Sequence, residues 1–215
     1  MGKTRTAMKI HWIGTVGGIV GYNRYGQMDW RSLAESVRNP QTEAQLEVRA
    51  KFAFISKFIS AIAYGYQKGY AKFVGGGLGP RSLFSRNIYA EEAVTGDRNN
   101  GYTVNFNKVP LSAGNLVNPY NVIGVATAAQ QTFTLSWTDN TGVGNALATD
   151  TLTLLVFNVS KQESVFSDNG ATRADETFDL SYPAAWAGDT AYIYAYFTGE
   201  DGNCSKSVCL GPYTL

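Results

Sequence analysis

Apolar positions change their period twice along this chain. Over residues 10–33, IHWIGTVGGIVGYNRYGQMDWRSL, Ile13, Val16, Ile19 and Val20 supply β-branched bulk among glycines at 14, 17, 18 and 21. That composition predicts a β-hairpin whose backbones approach closely, with its turn at Tyr25-Gly26-Gln27. A hairpin so rich in glycine has a weakly specified register and needs a partner surface to hold it. A polar connector, 34–41, ends in Asn39-Pro40. The period then becomes helical: Val48, Phe52, Ile55, Ile59, Ile62, Tyr66 and Phe73 recur in steps of 3 and 4 apart from a gap at Gly69, and Phe54, Phe58 and Ala61 widen the stripe. A long helix is predicted over 42–73, opened by a Thr42–Gln45 capping box with Glu43 and Glu47 in its first turns.

GGGLGP at 75–80 reads as a hinge, and 82–95 as a short helix capped by Ser82 and stopped by Gly96. From Tyr102 the period is that of strands, expected at 102–109, 111–117, 131–138, 151–158, 162–166, 175–181, 190–197 and 204–210, with turns at Asp139-Asn140-Thr141-Gly142, Asp168-Asn169-Gly170 and Asp201-Gly202. TLTLLVFN is almost wholly apolar and should be central; AYIYAYF alternates and should keep one wetter face. The expected class is α+β: an N-terminal β-hairpin and long helix, then an antiparallel β-sandwich of immunoglobulin or fibronectin type. Residues 1–97 form the N-terminal region. Residues 98–215 form the sandwich and are expected to fold alone, with Trp137, Leu154, Val156, Trp186, Tyr192 and Tyr194 in the core.

Charge divides at nearly the same place. Residues 1–75 hold 11 Lys and Arg against 4 Asp and Glu, whereas 76–215 hold 7 against 13. A net charge of +1 thus conceals a basic front and an acidic back, the pattern of an attachment segment joined to a globular module. The first residues lack the apolar run of roughly 7–15 that a secretory signal needs, and no stretch approaches the ~18 apolar residues of a membrane span. Cys204 and Cys209, five positions apart on one strand, would face opposite ways, so free thiols are expected.

Candidate chemistry is sparse. The glycines at 14–21 lack the Gly-Lys-Ser/Thr ending of a phosphate loop and do not open a helix, and Gly2-Lys3-Thr4 has no loop before it. His11 is the single histidine, too little for a zinc site or a recognisable triad. Glu91 and Glu92 would point about 100° apart on a helix and read as a solvated face. Asp139, Asn140 and Asp150 flank a glycine-containing loop that could hold calcium, but their spacing is not that of an EF-hand and an Asx-type turn fits better. Arg24, Arg31, Arg38, Arg49, Lys51 and Lys57, with Tyr22, Tyr25 and Trp30, could form a nucleic-acid surface or dock on the acidic back of a neighbouring copy. No catalytic residue, cofactor or metal is expected.

The blocks GTVGGIVGY, WRSL and NPQTEAQLEVRAKFAFISKFI, then FTLSWTDNTGVGNALATDTLTLLVFN, GATRADETFDL, PAAWAGDTAYIYAYFTGEDG and SVCLG, fall in an order that resembles a family of uncharacterised proteins, mostly from Bacteroidetes genomes and their mobile elements, catalogued as a domain of unknown function. The resemblance covers nearly the whole chain and implies the architecture without a function. The expectation from the residues is a non-enzymatic structural protein, a homo-oligomer or a component of a phage virion or mobile-element particle, located in the virion or in the cytoplasm before assembly. Its expected assembly interface is Ile13, Val16, Ile19, Tyr22, Arg24, Tyr25, Trp30 and Arg31. The alternatives are a nucleic-acid-binding accessory protein that uses the basic front, and a cell-surface adhesin-like module.

Overall fold

The computed structural model of the chain describes residues 13–24, 27–36, 39–73 and 78–215. It begins with a three-stranded antiparallel sheet of β1 (Gly14–Val16), β2 (Ile19–Arg24) and β3 (Gln27–Ser32). The predicted hairpin is therefore a meander. Gly17, at φ +58°, and Gly18 form an additional turn between the paired residues Val16 and Ile19, a backbone shape that suits the twist of the flanking strands. The turn expected at Tyr25-Gly26-Gln27 lies outside the described residues except for Gln27, which pairs with Arg24.

The long helix predicted over 42–73 is instead two short ones, α1 (Glu43–Ala61) and α2 (Ala63–Gly69), broken at Ile62. Thr42 does cap α1, its hydroxyl accepting the Gln45 N–H at 3.4 Å. The break is fixed by residues far away in sequence. The Ser164 hydroxyl donates to the Ala61 carbonyl at 2.6 Å, and the Tyr196 hydroxyl to the Gly65 carbonyl at 2.7 Å. The glycines that weaken the helical pattern have a packing role: a Cβ on Gly65 would stand 2.6 Å from Leu111 Cδ2, and one on Gly69 2.5 Å from the Leu111 carbonyl oxygen. Next, α3 (Pro80–Ala90) starts two residues before the expected Ser82 cap, because Pro80 occupies the first helical position, where its missing N–H costs nothing.

The remaining strands are a hairpin, β4 (Val94–Asp97) and β5 (Gly101–Val104), then β6 (Tyr120–Thr127), β7 (Thr132–Thr138), β8 (Thr151–Asn158), β9 (Glu163–Ser167), β10 (Thr177–Ser181), β11 (Thr190–Thr198) and β12 (Val208–Thr214). They form a three-stranded antiparallel sheet ordered β10-β7-β6 and a four-stranded one ordered β12-β11-β8-β9. Sequence reading missed β6. It placed a strand at 111–117, where the chain is an irregular connector tied down by single bonds, such as Leu111 N–H to Ser207 Oγ and Leu116 N–H to the Cys204 carbonyl. The strand expected at 204–210 starts only at Val208.

The four-stranded sheet is the middle layer. In its β8–β11 ladder, Val156 opposes Ile193, Leu154 opposes Ala195 and Leu152 opposes Phe197; these face Phe133, Leu135 and Trp137 of β7. The alternate positions Leu155, Phe157, Tyr194 and Tyr196 face Ile55, Phe58, Ile59, Tyr66, Phe84 and Ile88 of the helices. β11 thus has no wet face over its centre, contrary to expectation, because the helix layer covers its tyrosines. Of the six expected core residues, five are buried, and Tyr192 is half-buried, stacked on Phe106 at 4.2 Å between centroids.

The helix-side core runs across the boundary expected at 97/98, which falls at the tip of the β4–β5 hairpin. A fragment of 98–215 would expose Leu155, Phe157, Tyr194 and Tyr196 together. At about 25 cal/mol per Å² of apolar area this removes several kcal/mol. We expect that fragment to bind hydrophobic dye and to lose cooperative urea unfolding, while 41–215 unfolds in one transition. Cooperative unfolding of 98–215 as a dye-silent monomer would show that the three-stranded side suffices.

Candidate functional site

Strand register divides the expected assembly residues between two faces of the N-terminal sheet. Val16 pairs with Ile19, and Gly21 pairs with Trp30. Since side chains alternate along a strand and cross-strand partners share a face, Val16, Ile19, Met28 and Trp30 lie on one side. Val20, Tyr22, Arg24, Asp29 and Arg31 lie on the other. Val16 is 64 % exposed, Ile19 50 % and Trp30 44 %; Ile13, just before β1, is also exposed. Tyr25 lies outside the described residues. The structure therefore resolves one mixed list into an apolar face and a face bearing two guanidinium groups.

The wider basic set is not gathered so neatly. Arg49 and Lys51, two residues apart on α1, point about 200° apart. Arg49 donates to Asn39 Oδ1, and the Lys51 ammonium sits 5.7 Å over the Tyr89 ring. Arg38, His11, Gly2-Lys3-Thr4 and residues 75–77 of the hinge lie outside the described residues. Beside Lys51 and Tyr89 is a cavity of about 380 Å³, whose lining also includes Ile55, Ile88 and Glu92. It offers one amine and one carboxylate, without a nucleophile–base pair. Glu91 and Glu92 are exposed at the end of α3.

The loop read as a calcium candidate is organised by an arginine. Arg173 is fully buried. Its Nε donates to Asp150 Oδ2 at 3.0 Å, its Nη2 to the Val117 carbonyl at 3.0 Å, and its Nη1 to Asn140 Oδ1, while the guanidinium lies 4.1 Å over the Phe197 ring. A cation already fills the place between Asn140 and Asp150. Asp139 forms the expected Asx-type turn, accepting the Thr141 hydroxyl at 2.5 Å and the Thr141 N–H at 2.8 Å, and these bonds hold its carboxyl below the usual carboxylate range. Among the described residues no cluster of His, Cys, Asp or Glu could hold a metal ion. No described helix is long and apolar enough to cross a membrane.

Both thiols are free. They do not share a strand: Cys204 lies in the connector before β12, and Cys209 pairs with Tyr194. Burial raises both, Cys209 to about 11. Tyr102 is likewise raised to about 12, by burial and then by its hydrogen bond to Glu47.

The fold and its site define an α+β protein with an exposed, two-faced N-terminal sheet carried by a layered body. The chain belongs to the family of unknown function DUF6266, whose model matches residues 10–211 and so spans sheet and body together. A comparison with curated proteins finds no match.

Two outcomes are expected. Asp150→Ala strands the Arg173 charge in the interior and should cost about 3–5 kcal/mol in urea unfolding; Asp139→Ala, at an exposed turn, should cost far less. The raised thiols and the Tyr102 phenol ionise first in the unfolded chain, so the folded state binds more protons and stability falls as pH rises. For Cys209 the window runs from its ordinary 9.0 up to about 11. Urea midpoints should be level to about pH 8.5 and decline above it; a midpoint flat to pH 11 would contradict this.

Proposed function

We propose that this chain is a non-enzymatic structural protein that assembles through its N-terminal sheet, with copies of itself or as a component of a larger particle. The observation that carries this reading is the apolar face of Val16, Ile19, Met28 and Trp30, presented on a sheet whose β1 and β3 edges lack a strand neighbour among the described residues. Small isolated sheets are marginal in water, and open edges invite pairing with another chain. The body acts as the exposed spacer. Its two antiparallel sheets, packed through Trp137, Leu154 and Val156, support reading it as an immunoglobulin- or fibronectin-like sandwich. The virion or mobile-element particle is supported by analogy with such modules.

A second reading, nucleic-acid binding, draws on the other face, where Tyr22, Arg24 and Arg31 combine a ring with two cations. Light scattering separates the two. Both described cores are drawn from residue 54 onward, so removing residues 1–40 leaves them whole. Full-length protein is expected to form a defined oligomer that persists from about 50 to 200 mM salt, since apolar burial is not screened, and 41–215 is expected to be monomeric. A full-length monomer at every concentration, with DNA affinity falling steeply over that range, would replace the first reading with the second.

A further inference from the structure

Two Asn-Gly steps occur in the chain, Asn100-Gly101 and Asn169-Gly170. At such a step the asparagine side chain can close on the next backbone nitrogen, because glycine has no Cβ to obstruct the approach. The fold treats the two steps differently. Asn100 lies at the tip of the β4–β5 hairpin and is bound to Asp97 twice: its backbone N–H donates to Asp97 Oδ1 at 2.9 Å, and its Nδ2 donates to Asp97 Oδ2 at 2.8 Å. Gly101 is the first residue of β5 and pairs with the same Asp97. The Asn100 amide is thus held on a carboxylate, and leaving it costs a charge-assisted hydrogen bond.

Asn169-Gly170 follows β9 and is exposed. Neither the Asn169 side chain nor the Gly170 N–H makes a hydrogen bond among the described residues. The turn expected there is a bend without a backbone hydrogen bond across it. The residues on either side, by contrast, are anchored. The Asp168 carbonyl accepts from Lys68 Nζ at 2.7 Å, and Asp168 Oδ2 accepts from Lys68 Nζ at 3.3 Å and from the Tyr64 hydroxyl at 3.2 Å. The Ala171 carbonyl accepts the Leu152 N–H at 2.8 Å. Glycine is imposed at 170 by packing, since a Cβ there would stand 2.1 Å from Phe178 Cζ. An unheld Asn-Gly step is therefore built into a segment whose neighbours are fixed.

We propose that Asn169 is the site at which the folded protein deamidates. The Gly170 nitrogen attacks Asn169 Cγ, and its amide proton passes to hydroxide. The Cγ–Nδ2 bond breaks as Nδ2 takes a proton from water and leaves as ammonia, which closes a succinimide. Water then adds to one of the two succinimide carbonyls and opens the ring to aspartate or isoaspartate. Either product sets a new carboxylate beside Asp168, where Lys68 and Tyr64 fasten α2 to the end of β9. Isoaspartate also inserts a methylene into the main chain between the anchored Asp168 and Ala171 carbonyls.

Ageing of the full-length protein in mildly alkaline buffer, followed by tryptic digestion and mass spectrometry, tests it. Cleavage after Lys161 and Arg173 isolates residues 162–173 with Asn169, and cleavage after Arg98 and Lys108 isolates 99–108 with Asn100. A sample digested before ageing sets the background, and fragmentation assigns the residue that has changed from amide to carboxyl. In the folded protein Asn169 should convert at least roughly tenfold faster than Asn100, which must first leave Asp97. In guanidinium both steps are free, and the two rates should converge. Asn169→Ser should leave 162–173 unchanged on ageing. Equal rates in the folded protein, or an Asn100 that converts first, would overturn the proposal. A difference that persists undiminished in guanidinium would also overturn it, since the preference would then come from neighbouring residues in sequence and not from the fold.

Discussion

Everything in the body is arranged around one ladder, β8 against β11. Its eight registered pairs run from Ala191–Asn158 to Thr198–Thr151, and neither face of its centre reaches water. A strand pair buried on both sides must be covered twice, so one sheet requires two further layers. The β7 side is met mainly by aliphatic and aromatic side chains, with the Arg173 guanidinium over Phe197. The helix side is met by tyrosines whose rings pack while their hydroxyls find carbonyls: Tyr194 donates to Phe106 at 3.0 Å and Tyr196 to Gly65 at 2.7 Å. Tyrosine suits such a seam because its body is apolar and its tip needs one partner. The same bonds hold the irregular segments that link helices to sheet, so covering β11 and positioning α2 are one event.

Arg173 does the equivalent at the other end of the sandwich, and it shapes the surface by what it withholds. It joins the 117, 140 and 150 segments through three groups and stacks on Phe197 of β11. Its charge is spent inside the protein on Asp150. Lys161, the other cation between 109 and 205, is engaged by Asp189. The exposed carboxylates around the three-stranded sheet therefore meet no compensating cation from these segments, and the acidic character legible in the composition becomes a property of one face.

Legibility followed the range of the interactions. The β8 run of apolar residues could only be central, and it is. The start of α1, set by the local cap at Thr42, was readable to within a residue. The break at Ile62 was not, since it depends on Ser164 and Tyr196, more than 100 positions away. The alternation of AYIYAYF suggested a wet face because tyrosine is ambivalent; only the covering helices decide. β6 was missed although Val122, Ile123 and Val125 carry strand character, because its glycine and exposed apolar side mimic a loop. Arg173 raised no signal at all: a lone arginine in a polar stretch is indistinguishable from a solvated one until four segments converge on it. At the N-terminus the strand character was legible and the sorting of side chains onto two faces was not, since that depends on the turn at Gly17-Gly18.

That sorting bears on why such a sheet persists. β1 has three residues and β2 and β3 six each, and Val16 and Ile19 are at least half exposed. The entropy of ordering these residues is about 1–2 kcal/mol each for the backbone alone, and in the sheet only Gly21 is buried, with Val20, Met28 and Asp29 half-buried. On the assembly reading proposed above, an apolar partner would supply the missing term, and ordering of the sheet and association would be the same equilibrium. Glycine fits this arrangement: it weakens the free sheet through its own entropy cost while letting two backbones or two sheets approach without obstruction. On that reading, order at the N-terminus would depend on concentration, whereas the β8–β11 layer draws its burial on both faces from within one copy.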